Sequence, residues 1–137
     1  MAIVTLENTS REYQDGDTLV RALSDLSLKV EEGEFTALMG PSGSGKTTLL
    51  NLVGGLDTPT TGTVTVSGRE VSALSRAERS DLRRDHIGFI FQSYNLVPVL
   101  SALENTEFVL MLQGVPEKER AARARETLAA VGLSGME

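Results

Sequence analysis

Apolar and polar positions first alternate along this chain, then recur at helical spacing, and their order predicts its elements. Ile3-Val4-Thr5-Leu6 reads as a short strand, and Leu26-Ser27-Leu28-Lys29-Val30 alternates like a half-buried one. Between them, Tyr13-Gln14-Asp15-Gly16-Asp17 carries turn residues. Glu31-Glu32-Gly33-Glu34 turns again into the apolar run Phe35-Thr36-Ala37-Leu38-Met39, which predicts a third strand. Leu49-Leu50-Asn51-Leu52-Val53 predicts a helix that stops at Gly54-Gly55, as glycine permits at a helix end. After a polar loop, Thr63-Val64-Thr65-Val66 alternates as another short strand, closed by Ser67-Gly68.

The second half reads differently. Ser75 to Arg84 is polar and charge-dense, the pattern of an exposed helix. Ile87-Gly88-Phe89-Ile90-Phe91 predicts a buried strand with Gln92 at its end, and His86 a polar residue leading into it. Ser101-Ala102-Leu103-Glu104 is a capping box, in which hydroxyl and carboxylate satisfy each other's unpaired amides. It starts a helix to about Gln113, with an apolar face of Leu103, Phe108, Val109, Met111 and Leu112. Pro116 suits the first position of a last helix, which runs to about Val131 and stops at Gly132. The chain thus divides into a strand-rich lobe over about 1–92 and a helical part over about 93–137.

One stretch carries chemistry. Gly40-Pro41-Ser42-Gly43-Ser44-Gly45-Lys46-Thr47-Thr48 fills the pattern G-x-x-x-x-G-K-[ST] between a predicted strand and a predicted helix. Triphosphate oxygens need many donors close together, and consecutive backbone amides turned into one concavity supply them. Gly43 and Gly45 let the backbone approach the phosphates without a Cβ in the way. The helix start adds free amides and the positive end of its dipole. Lys46 is placed to reach the β- and γ-phosphates, and the Thr47 hydroxyl to ligate Mg²⁺. The alternative, a Gly/Ser turn that happens to match, leaves the flanking strand and helix patterns unexplained.

Composition narrows the class. The 137 residues have the length of one ordinary domain, and 40% are apolar, enough for a core of Val, Leu, Ile and Ala. No run approaches the ~20 apolar residues a bilayer span needs, and no signal-peptide pattern opens the chain. There are no cysteines, which excludes disulfides and thiolate metal sites. The formal charge of −6 argues against a broad nucleic-acid surface. It does not argue against ATP, because Lys46, the loop amides and Mg²⁺ act locally. Arg76, Arg79, Arg83 and Arg84 form a basic cluster, but Glu78, Asp81 and Asp85 lie among them, so a salt-bridged helix face is favoured.

These residues together resemble the ATPase domains of ABC transporters. The loop is the version G-P-S-G-S-G-K-T-T found there. Tyr13, 27 residues ahead of Gly40 and just before a turn, resembles the aromatic loop on which such domains stack adenine. Ile87-Gly88-Phe89-Ile90-Phe91-Gln92 resembles their Q-loop, whose glutamine reaches Mg²⁺ and the attacking water. Ser93-Tyr94-Asn95-Leu96-Val97-Pro98 with Ser101-Ala102-Leu103-Glu104-Asn105 is similar to the branch serving lipoprotein release, macrolide export and cell division. The resemblance spans about Leu6 to Leu133. It implies an α/β fold: a P-loop NTPase core with an antiparallel β lobe and the start of a helical subdomain. The cofactors implied are ATP and Mg²⁺, the latter on Thr47 and Gln92. The partners implied are a membrane-spanning permease and a second ATP-binding domain arranged head to tail. The site implied is cytoplasmic, on the inner face of the membrane.

The family's pattern is not complete here. No L-S-G-G-Q signature is present; Leu133-Ser134-Gly135-Met136-Glu137 matches only its opening letters and lies too early. No apolar strand ending in Asp-Glu follows, and the family's switch histidine lies far beyond its Q-loop, so His86 does not take that role. The expectation is an incomplete core sheet and a fragment of a longer gene product, with ATPase activity in the parent rather than in these residues alone. The competing readings are a short non-hydrolysing ATP-binding or regulatory module, and an ABC-like factor acting on DNA or ribosomes.

Overall fold

The computed structural model describes residues 1–136. They form two units, Met1–Ile87 and the residues from Gly88 on.

The first unit is built on a long hairpin. Strand β1 (Ala2–Asp15) runs antiparallel to β2 (Thr18–Glu31), with Tyr13 opposite Val20 and Leu6 opposite Leu28. The sequence pattern marks only the apolar ends of these strands. Their polar middles are held by the ladder itself, which every backbone amide can join whatever its side chain. On its other edge β1 pairs antiparallel with β3 (Thr61–Val66), and β3 turns through Ser67-Gly68 into the short β4 (Arg69–Glu70). The sheet order is β2-β1-β3-β4.

Helix α1 (Lys46–Val53) buries Leu49 and Leu52, three residues apart and hence on one face. They join Leu6, Leu23, Val64, Val66, Val71 and Leu82 in a single core. Burial of each such side chain is worth roughly 1.5–3 kcal/mol, so this cluster is what holds the helix to the sheet. Thr9 is fully buried, and its hydroxyl donates to the Thr63 carbonyl at 2.8 Å, so no unmet polar atom enters the core. After a 3₁₀ turn at Val71–Ala73 comes α2 (Arg76–His86), which contributes Leu82. Ser75 and Glu78 form a capping box at its start. Three of its arginines are engaged: Arg84 pairs with Asp81 and Asp85, Arg79 donates to the Leu74 carbonyl, and Arg83 donates to the Gly55 carbonyl at 2.6 Å. The salt-bridged reading of this face holds for Arg84 with Asp81 and Asp85, while Arg79 and Arg83 bond backbone carbonyls instead.

Two predicted strands are not strands. Phe35-Thr36-Ala37-Leu38-Met39 is irregular, with Phe35 98% and Met39 91% exposed. Ile87-Gly88-Phe89-Ile90-Phe91 is irregular too, and Ile90 is wholly exposed. A strand exists through its ladder, and no described segment pairs with either run. His86 accordingly ends α2 instead of leading into a strand.

In the second unit the Phe89 and Phe91 rings stack at 5.6 Å. The Asn105 side chain accepts from the Val97 amide and donates to the carbonyls of Val97, Leu100 and Ser101, tying that segment to α3 (Ala102–Leu112). The predicted capping box of Ser101 and Glu104 is formed. Helix α4 (Glu117–Ala130) has Pro116 as its N-cap, one position before the one predicted, and buries Ala124 and Leu128. Arg120 bridges to Glu107 at 3.1 Å, linking the two helices. The apolar face predicted for α3 stays largely open: none of its residues is fully buried, and Phe108, Val109, Met111 and Leu112 are exposed. Helix α4 offers it mainly alanines and charges, too little apolar surface to cover it.

Candidate functional site

The loop from Gly40 to Thr48 turns back on itself before entering α1. The Ser44 amide donates to the Pro41 carbonyl at 3.2 Å, and the Leu49 amide to the Gly45 carbonyl at 2.9 Å. Gly45 is the N-cap, at φ +90°, and a Cβ there would lie 2.5 Å from the Ala22 carbonyl oxygen and 2.9 Å from Leu23 Cδ2. Only glycine lets the loop lie this close to β2. No side chain caps the start of α1, which leaves its first-turn amides available to an anion.

Lys46 organises the loop from inside. Its ammonium donates to the carbonyls of Gly40 at 2.7 Å and Pro41 at 2.6 Å and to Ser44 Oγ at 3.1 Å. The charge is thereby held at the loop rather than swinging free in solvent. Ser42, Gly43 and Gly45, with Lys46, Thr47 and Thr48, line one side of a cavity of about 550 Å³. Its other wall is Val20, Arg21 and Ala22 of β2. Behind the loop lies a second hollow of about 410 Å³, where Gly40, Pro41 and Ser44 meet Leu23, Leu38 and Leu49. The loop residues predicted from the motif are contiguous in the fold and border both hollows.

Tyr13 stands at the far end of the hairpin, opposite Val20 in the ladder. It is not itself among the residues lining the cavity. Its hydroxyl donates to Asp57 Oδ2 at 2.9 Å, and the Arg11 guanidinium carbon sits 4.4 Å from its ring centroid. Arg11 Nε donates to the same Asp57 oxygen at 2.8 Å, and the Thr58 amide to the other at 2.8 Å. Desolvation pushes the Asp57 carboxyl up, but the Thr58 amide, Arg11 and Tyr13 outweigh it and hold it below the ordinary carboxylate value. Arg11 loses some hydration too, but Asp57 and Tyr13 raise its pKa above the usual arginine value. Gln92 lies in the second unit, on an exposed bend after Phe91.

Sequence reasoning missed the wall of β2 and the whole of the Arg11–Asp57 pair. The wall was within reach: a turn at Gly16-Asp17 sets Tyr13 against Val20 and so points to Val20, Arg21 and Ala22.

Residues 23–137 match the ABC transporter family. The chain belongs to that family. Among its relatives is the macrolide export ATP-binding/permease protein MacB of Rhodopseudomonas palustris strain HaA2, 50% identical over 131 residues. The alignment covers 96% of this chain and 20% of MacB. An uncharacterized ABC transporter ATP-binding protein of Thermotoga maritima is 47% identical over 131 residues, 96% of this chain and 56% of that protein. The solved ATP-binding cassette MJ0796, a dimer bound to ADP and phosphate, superposes with a TM-score of 0.86 at 43% identity. That superposition covers 92% of this chain and 56% of the cassette. The α/β fold is therefore that of an ABC-type P-loop ATPase, and the chain spans between a fifth and about half of these relatives. Members of the family bind ATP with Mg²⁺ and couple its hydrolysis to transport. Among the described residues no helix is long and apolar enough to cross a membrane.

Proposed function

We propose that this chain is the ATP-binding part of an ABC transporter in which ATP binding and hydrolysis drive a membrane-spanning permease. The observation that carries the reading is the placement of Lys46: a cation fixed by two loop carbonyls at the edge of a cavity walled by loop and β2. Amides from Ser42 to Thr48 would surround the phosphates, with Lys46 on the β- and γ-phosphates. Thr47 would ligate Mg²⁺, an ion that takes few protein ligands and completes its shell with phosphate oxygens and water. Tyr13 would stack on adenine, and Gln92 would position Mg²⁺ and the attacking water. Residues 1–92 would act as the nucleotide-binding lobe and Gln92 as its link to the helical part, 93–137.

The relatives support the partners. MacB is named as both ATP-binding protein and permease, and MJ0796 is a dimer. A permease and a second ATP-binding domain are accordingly proposed here, with the protein held at the inner face of the membrane. The test is titration of the intact protein with ATP and AMP, with and without Mg²⁺. ATP should bind ~100-fold tighter than AMP, from two or more added charge-assisted contacts. Thr47→Val should remove most of the Mg²⁺ dependence. Equal affinities for ATP and AMP would refute the loop's role.

A further inference from the structure

Two donors on β1 converge on a single carboxylate oxygen that belongs to a different element. Tyr13 Oη and Arg11 Nε lie 2.9 and 2.8 Å from Asp57 Oδ2, across 44 and 46 residues of sequence. Asp57 itself is fixed from behind. Its amide donates to the Asn51 carbonyl of α1 at 3.2 Å, the Leu56 amide donates to the same carbonyl at 2.9 Å, and Thr58 N holds Oδ1. The helix that begins with Lys46 and Thr47 therefore ends in the loop that positions Asp57.

The geometry points to Asp57 as a positioning residue for the base of the bound nucleotide: it anchors the Tyr13 hydroxyl and the Arg11 guanidinium together, so that Arg11 covers one face of the ring and leaves the other for a purine. This rests on the stacking role proposed for Tyr13. A phenol with a free hydroxyl can swing about Cα–Cβ, whereas one whose Oη is held 2.9 Å from a fixed carboxylate keeps its far end in place, and Arg11 against one face sets its orientation about Cβ–Cγ. The guanidinium carbon, 4.4 Å from the centroid, occupies one face, so a base has one side on which to stack. Because Asp57 follows α1, the seat for the phosphates and the platform for the base move as one body, and the distance between them is set by the helix.

The test separates base from phosphates. In the intact protein, affinities for Mg²⁺-ATP and Mg²⁺-tripolyphosphate are measured for the native chain, Asp57→Asn, Tyr13→Phe and Tyr13→Ala. Asparagine keeps the shape but has one acceptor oxygen for the three donors that the carboxylate serves with two. Asp57→Asn should weaken ATP about 5- to 20-fold, within the scale of aromatic–base stacking, and leave tripolyphosphate within about twofold. Tyr13→Phe should weaken ATP in the same direction, and combining it with Asp57→Asn should add little. Equal weakening of both ligands by Asp57→Asn would make Asp57 a prop of α1 and overturn the inference, as would no change in either. If Tyr13→Ala leaves the ratio of the two affinities unaltered, the stacking role itself is wrong.

Discussion

The Lys46 ammonium donates a 2.6 Å hydrogen bond to the carbonyl of Pro41, five residues back along the loop. With the Gly40 carbonyl at 2.7 Å, it closes the loop on itself before any phosphate arrives. Two consequences follow from one side chain. On the proposed role, Lys46→Ala removes a charge-assisted contact to the phosphates as well as freeing the loop, so ATP affinity should fall by about 1.5–3 kcal/mol or somewhat more. Lys46→Arg should not restore it, because a planar guanidinium cannot direct donors to both carbonyls and a phosphate as a tetrahedral ammonium can. Calorimetric titration decides the matter, and full affinity in the arginine variant would show that charge alone suffices.

Gly43 and Gly45 both have positive φ, +79° and +90°, yet only Gly45 is also crowded. A methyl at Gly43 meets open space, so Gly43→Ala carries backbone strain alone, on the order of 1–2 kcal/mol. Gly45→Ala adds a collision with the Ala22 carbonyl on β2 and should cost more in stability, with loss of nucleotide binding. Urea midpoints of the two variants give the comparison. A Gly45→Ala protein as stable as Gly43→Ala would mean that the loop lifts off the strand at little cost.

The loop was legible because it is contiguous: nine neighbouring residues, Gly40 to Thr48, carry the motif and the turn that Lys46 closes. The cap of Ser101 and Glu104 was legible for the same reason, whereas Ser75-Arg76-Ala77-Glu78 carries the same signal and was not read as a cap. What failed needed a distant partner that the local pattern does not supply. Phe35 to Met39 has the composition of a core strand, but composition cannot supply the neighbour that makes a ladder. Asp57 looked like a loop aspartate among threonines and a proline. Its partners are 44 and 46 residues away, brought to it by the register of β1 with β3 and by the end of α1.

Arg83 on α2 braces the same C-terminal end of α1. Its Nη1 donates at 2.6 Å to the carbonyl of Gly55, just past the C-cap Gly54. Gly55 is buried, so water is a poor substitute. Arg83→Met, which keeps much of the stem's packing, should destabilise the first unit by about 1.5–3 kcal/mol. Chemical denaturation followed through that unit tests this, and an unchanged midpoint would leave Arg83 a surface residue.

Asp57 gives the fold a dependence on acid. Its folded pKa lies below the ordinary aspartate value of about 3.9, because the Thr58 amide, Arg11 and Tyr13 together overcome its desolvation. A carboxyl that ionises more readily when folded stabilises the fold fully above its unfolded pKa. That contribution is lost as pH falls from about 4 through the lower folded value. Glu34, Glu78, Asp85 and Glu104 are shifted the same way, so the native chain's whole acid limb is shared among several groups. The share belonging to Asp57 is isolated by comparison with Asp57→Asn. The native protein should be the more stable at pH 6, and the gap between the two urea midpoints should close as pH falls below about 4. A gap that does not narrow between pH 6 and pH 3 would mean that the substitution acts through packing, not through the charge that Arg11 and Tyr13 share.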